Sequence, residues 1–200
     1  MLMTTLDTEY KILNTKYLFL ALLFLLAFGE RVLFDFGANM ELVTTALILS
    51  SFYVGRKTSF WLIFFIMLGS DLLIGNTNIF IFTWSGFLIP SLLAHKFSGR
   101  RNPISRTVNG LLAGISTVGF FFVWTNFGVW LLGSMYPKTL QGLILSYINA
   151  LPFLRMQAIS TLVFIPFGFL LTELAIALDK KWQLEKRLNS FSRFKIKAIN

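Results

Sequence analysis

Cysteine is absent from the 200 residues, which excludes disulfides, thiolate metal sites and cysteine nucleophiles and leaves the redox compartment open. Histidine occurs once, as His95 beside Lys96, where a solvated side chain is expected in place of a ligand or general base. Charge is scarce, at 14% of residues, and negative charge scarcer still, with nine Asp and Glu against eighteen Lys and Arg. There is no H-E-x-x-H, no serine in a nucleophile turn and no aspartate pair within an apolar run, so nothing points to an enzyme, a metal or a cofactor. No internal repeat, low-complexity tract or second domain is evident.

What fills the chain is apolar. Hydrophobic residues make up 56%, Phe alone occurs 23 times, and the mean hydropathy of +0.70 exceeds what a soluble domain of this size covers with polar surface. The apolar residues fall in runs near the roughly 20 residues that carry a helix across about 30 Å of hydrocarbon. Strand-like alternation is weak, so an all-α membrane bundle is expected in place of a membrane barrel. Six spans are predicted, at 17–36, 39–54, 59–75, 79–96, 109–133 and 152–177. A segment 1–16 precedes this transmembrane domain of 17–178, and a basic tail, 179–200, follows it.

The positive charges sort by side. Lys11, Lys16, Arg56, Lys57, Lys96, Arg100, Arg101, Arg106 and seven basic residues of the tail, from Lys180 to Lys197, make fifteen on one side; the loops of the other side hold only Lys138 and carry Asp35 and Glu41. Basic residues accumulate in cytoplasmic loops, so both termini are expected inside a bacterial cytoplasmic membrane. The tail, WQLEKRLNSFSRFKIKAIN, interleaves apolar and basic residues and is expected to lie on the anionic lipid surface. This accounts for the formal charge of +9 without a nucleic-acid partner, for which no binding module is present. Lys11 and Lys16, then YLFLALLFLLAF and Ala27-Phe28-Gly29, also fit a signal peptide. Apolar character resumes at Val32, and we read the segment as a retained first span.

Ionisable groups within hydrocarbon cost about 2.5 to 3.5 kcal/mol each, so those that remain face a cavity, a partner or an interface. Here they are Glu30, Arg31, Asp71 and Arg155, with Glu173 reaching the inner interface. At a rise of about 1.5 Å per residue, Arg31 and Asp71 stand roughly 20 Å above the inner ends of their helices. Arg155 starts a span that enters from outside, so all four belong to the outer half. Asn126, Trp130 and Tyr136 share that level with Thr83, Trp84 and Ser85.

A pocket open to the outside is expected there. Arg31 and Arg155 would attract an anionic group, Asp71 a cationic one, Asn126 would hydrogen-bond, and Trp84 and Trp130 would stack. The segment 133–151, with Tyr136, Pro137 and Lys138 at its turn, would be a lid hinged at Pro137 and Pro152. The plainer alternative is an Arg31–Asp71 ion pair beneath an outer aromatic belt. Gly110 and Gly114 form a G-x-x-x-G expected to bring two helices close, and Pro90 and Pro166 are expected to kink theirs.

Arg31, Asn39, SDLLIG (70–75), TNFGVW (125–130), MYPKTLQG (135–142) and ALPF (150–153) together resemble a family of bacterial six-helix membrane proteins whose function is unassigned. The layout of that family is similar to the substrate-binding S components of energy-coupling factor transporters. The resemblance spans about residues 17–178 and is most specific over 125–153. It implies a six-helix bundle with an outward solute pocket closed by outer loops, and an ATPase coupling module as partner at helix 1. Two departures are visible: Met40 and Leu42 replace the family's Phe and Pro after Asn39, and the small residues Ala21 and Ala27 stand six apart where docking helices carry them four apart. The expected partners are thus membrane lipid, a small solute and, by resemblance, the ATPase module. A non-transporting scaffold that docks through its tail and the Gly110 face is the other reading.

Overall fold

The computed structural model describes residues 2–34, 40–75, 77–99 and 102–197, with side chains from Thr15 to Lys186. Asn39, Asp35, Arg100 and Arg101 lie outside the described residues, and the side chains of Lys11 and of the tail beyond Lys186 lie outside the described side chains. Six α-helices follow in order: α1 (Leu2–Val32), α2 (Val43–Tyr53), α3 (Arg56–Ile74), α4 (Phe80–Leu93), α5 (Pro103–Leu132) and α6 (Leu140–Lys197). A 3-10 turn, Ala94–Phe97, follows α4.

The centre of the bundle is α2. From Val43 to Ser51 every residue is buried, on all faces, and the other five helices all touch it. Its sequence, VTTALILSSFY, is rich in β-branched residues and serine, which have modest helix propensity, so packing holds it helical more than local preference does. Leu47, Ile48, Ile63, Ile66, Met67, Ile165 and Phe169 form the fully buried apolar core around it. Gly55 ends α2 at a φ of 114°, a conformation costly for any residue with a Cβ, and turns the chain directly into α3.

Two features depart from the expected spans. The second span, expected over 39–54, is an 11-residue helix, which at about 1.5 Å per residue covers only half of a 30 Å layer. The sixth is far longer than expected: α6 runs 58 residues without interruption, so Pro152 and Pro166 sit inside it and the basic tail continues it to Lys197. Pro152 thus lies inside α6, and residues 140–151, expected as part of a lid, form its first three turns. The remaining loop between α5 and α6 is short, 133–139.

One end of the bundle is tied by Arg106, Glu173 and Tyr53. Arg106 pairs with Glu173 and lies 5.5 Å over the Tyr53 ring, and the Tyr53 hydroxyl donates to Glu173 Oε1 at 2.6 Å. This joins the start of α5, the end of α2 and the middle of α6. Nearby, exposed His95 contacts the Ser51 carbonyl through Nδ1 at 2.9 Å.

The G-x-x-x-G works within the chain. A Cβ on Gly110 would stand 2.3 Å from Phe169 Cε2, and one on Gly114 would stand 2.3 Å from Ile165 Cδ1. Absent side chains at these two positions let α5 and α6 approach closely. The exterior is apolar: Leu18, Leu22, Trp61, Phe65, Leu112 and Leu162 are all more than half exposed, a surface suited to acyl chains and not to water. Among the described residues, α3, α5 and α6 are long and apolar enough to cross a bilayer.

Gly114→Leu is expected to lower the melting temperature in detergent and cost about 2 to 3 kcal/mol through overpacking. Gly119→Leu, five residues along the same helix at a position with nothing within 4 Å, should leave it unchanged. Equal effects of the two substitutions would show that the close approach is not what stabilises this pair.

Candidate functional site

The ionisable residues of the far end form two layers. In the first, Arg31 closes α1 against α3: its Nε donates to Ser70 Oγ and its Nη2 to Asp71 Oδ1, both at 2.7 Å. The second carboxylate oxygen of Asp71 accepts from Trp84 Nε1 at 2.6 Å, bringing in α4. The Arg31 and Asp71 side chains are only 18% and 9% exposed. Three of the expected solute-binding residues therefore do meet, but their polar atoms are directed at one another. A charge-assisted hydrogen bond contributes about 1.5 to 3 kcal/mol, and this set clamps α1, α3 and α4 together.

The second layer surrounds the N-terminus of α2. The first N–H groups of a helix have no partner within it and must find one outside. The Glu41 carboxylate accepts from Thr44 N at 2.8 Å and from the Thr44 hydroxyl. Leu42 N donates to Glu30 Oε2 at 3.3 Å, so two carboxylates meet the positive end of the helix dipole. From α6, Ser160 Oγ both accepts from Glu41 N at 3.2 Å and donates to Glu41 O at 2.7 Å, and Gln157 Nε2 reaches Glu41 Oε1 at 3.4 Å. Glu30, Thr44, Gln157 and Ser160 are all buried.

The other expected site residues lie apart from these layers. Asn126 Nδ2 donates to the Phe122 carbonyl, one turn back on α5, at 2.7 Å. Trp130 Nε1 donates to the Pro137 carbonyl at 3.0 Å. Lys138 Nζ caps the end of α5, donating to the Gly133 carbonyl at 2.5 Å and to that of Trp130, with the Trp130 ring 5.9 Å away. A cation on the last carbonyls of a helix complements its dipole. Asn149 of α6 completes this turn by donating to Tyr136 at 3.3 Å. Arg155 is exposed on α6. An open apolar groove of about 280 Å³ runs beside α4 between Phe60, Trp84, Leu88 and Leu92; of the expected residues it touches Trp84 alone.

Glu41, Gln157, Ser160 and the Arg106–Glu173–Tyr53 tie were missed as site or anchor residues. In the sequence Glu41 reads as a loop residue. Two signals were present: Glu41 stands three residues before Thr44, as in a helix cap, and Gln157, Ser160 and Thr161 put three polar residues on one stripe of an apolar helix.

A helical bundle with three helices fit to cross a bilayer, an apolar exterior and polar side chains gathered inside is a multi-pass membrane protein. Residues 11–184 match the family described as Family of unknown function (DUF6580), and the protein belongs to that family. The description assigns no activity and makes no link to the S components. No curated protein and no solved structure matches the chain.

Asp71→Leu is expected to destabilise the protein by about 3 kcal/mol, because it leaves the Arg31 guanidinium half-buried without its charge partner. Adding Arg31→Leu should recover more than half of that loss in denaturant unfolding of the detergent-solubilised protein. A double variant no more stable than Asp71→Leu alone would mean that the aspartate acts through Trp84 instead.

Proposed function

We propose that this protein spans the bacterial cytoplasmic membrane six times, with both termini inside, and binds and carries a small polar solute that enters from the outside. The fifteen-to-one split of basic residues supports that orientation. The observation that carries the transport reading is the interrupted second span. With Tyr53 at the inner end, Glu41 lies twelve residues further out, about 18 Å at helical rise and so near the middle of the layer. A half-helix that begins there, inside a cluster of buried carboxylate, amide and hydroxyl groups, is the architecture that solute carriers use at their binding sites. Intramembrane carboxylates kept at energetic cost mark solute or ion paths.

In this reading the solute approaches past Arg155 and Asn126, and the loop 133–139 with Tyr136, Pro137 and Lys138 borders the entrance. The similarity of layout to S components would supply an ATPase coupling module as partner. Against that partner, the described side chains of α1 include no exposed pair of small residues, since Ala21 is exposed but Ala27 is fully buried. One observation favours the scaffold reading: α6 runs 24 residues past Glu173, with Leu174, Leu178 and Trp182 exposed, a surface a partner protein could cover.

Native mass spectrometry of protein extracted in mild detergent separates the two. Transport predicts a retained small molecule that Asn126→Leu loses while folded yield stays unchanged, since Asn126 bonds only to its own helix through Nδ2 and leucine suits that position. Co-purification of a protein with no small molecule bound would replace the transport reading with the scaffold.

A further inference from the structure

The apolar groove beside α4 leads to a set of cations that the chain itself leaves unmatched. It is lined by one stripe of α4, with Ile81, Trp84, Leu88, Ile89 and Leu92, and from α3 by Phe60. Ile81, Ile89 and Leu92 are exposed. Trp84 is held by its bond to Asp71 and by edge contacts with Phe64 and Phe80, so the groove is preformed. From Ile81 to Leu92 it runs about 16 Å at helical rise, roughly one leaflet of a layer about 30 Å thick.

The two helices run in opposite directions here. Trp84 meets Asp71 and Phe64, whereas Leu92 shares the groove with Phe60. The chain beyond Leu92 and the chain before Phe60 therefore leave the groove at the same end. One turn on, they present Lys96 on the α4 side and Arg56 and Lys57 on the α3 side, all three exposed. The turn that carries Lys96 is fixed in place by His95 Nδ1 against the Ser51 carbonyl at 2.9 Å and by Asn109 Nδ2, which donates to the Phe97 carbonyl at 3.0 Å.

Arg31, Arg106 and Lys138 are each bound within the chain. Among the described residues, the side chains of Arg56, Lys57 and Lys96 have no hydrogen-bonding or ionic partner. Gly55 precedes α3 without a capping side chain, so the free N–H groups of its first turn add to the positive charge of that end.

We propose that this groove holds one anionic phospholipid, with an acyl chain along α4 and its phosphate among Arg56, Lys57 and Lys96. The two parts of the site set the class of ligand. A free phosphate or a nucleotide would leave the apolar length empty. A zwitterionic lipid would bring its own cation against three others, whereas basic pockets between membrane helices recognise anionic headgroups. The orientation proposed above makes this a lipid of the inner leaflet. The site itself requires insertion in a membrane and is independent of solute transport.

The test compares phosphatidylglycerol with phosphatidylcholine of identical acyl chains, added to the full-length protein after delipidation in detergent and read by native mass spectrometry and thermal unfolding. Phosphatidylglycerol should bind first as a single copy and raise the melting temperature saturably, by several degrees. Phosphatidylcholine should require a concentration roughly tenfold higher or more. Arg56→Gln, Lys57→Gln and Lys96→Gln combined should bring phosphatidylglycerol to the same weaker level, with lipid-free melting unchanged, because these side chains hold nothing within the protein. Ile89→Trp should block both lipids by filling the groove. Lys180→Gln with Lys181→Gln, on the tail, should change neither. Should the triple variant not fold, the lipid comparison and Ile89→Trp decide. Equal responses to the two lipids, a phosphatidylglycerol response that survives the triple variant, or one that the tail variant removes as well would each overturn the proposal. So would equal stabilisation by inorganic phosphate alone, or a bound protein that Ile89→Trp releases in place of lipid.

Discussion

The N-terminus of α2 begins inside the bundle, where Val43, Thr44 and Thr45 are buried, so its first backbone N–H groups need partners from the protein. That single requirement organises much of the molecule. It explains why Glu41 precedes the helix and folds back on Thr44, why Glu30 is kept in the apolar run of α1, and why Ser160 and Gln157 interrupt the apolar α6 at the level where they can reach Glu41. Removing water raises the cost of an unmade hydrogen bond and the strength of a made one alike. The cluster is thus both the most demanding part of the interior and the part that most narrowly fixes the register of α2 against α6.

Around this point, packing and polar ties divide the work. Apolar association gives little drive between helices in lipid, because acyl chains are as apolar as leucine. Close approach and internal hydrogen bonds have to supply it. Gly110 and Gly114 provide the first, letting Phe169 and Ile165 press into α5. The Arg31–Asp71–Trp84 set and the Arg106–Glu173–Tyr53 set provide the second, one at each end of the bundle. Between them they reach all six helices.

The helix number and the membrane class were legible because apolar runs of the right length leave a strong signal in composition alone. Arg31, Asp71 and Trp84 were legible as a group for a related reason: three polar or amphipathic side chains at one depth have few partners but each other. The half-length of α2 was not legible, since Val43 to Phe52 continues the apolar pattern of a full span and the break lies where Glu41 looks like an ordinary loop acid. Trp130 was read as a stacking residue of the pocket and Pro137 and Lys138 as part of its lid, while the main-chain bonds by which Trp130 and Lys138 close the end of α5 were not read. Such bonds depend on the path of a turn, which residue type does not encode. The continuity of α6 was hidden by Pro152 and Pro166, whose lost hydrogen bonds neighbouring helices tolerate within a bundle.

That continuity gives the molecule a mechanical character. From its contact with Gly114 near Ile165, α6 reaches back 25 residues to Leu140 and forward 32 to Lys197, arms of about 38 and 48 Å at helical rise. It is a two-armed lever with its fulcrum against α5. A tilt of the shorter arm, started near the turn at Pro137, is delivered at the longer, basic arm slightly enlarged and with its direction reversed. Anything that grips the basic end of α6 is therefore in mechanical touch with the turn at its other end, with no loop between them to absorb the motion.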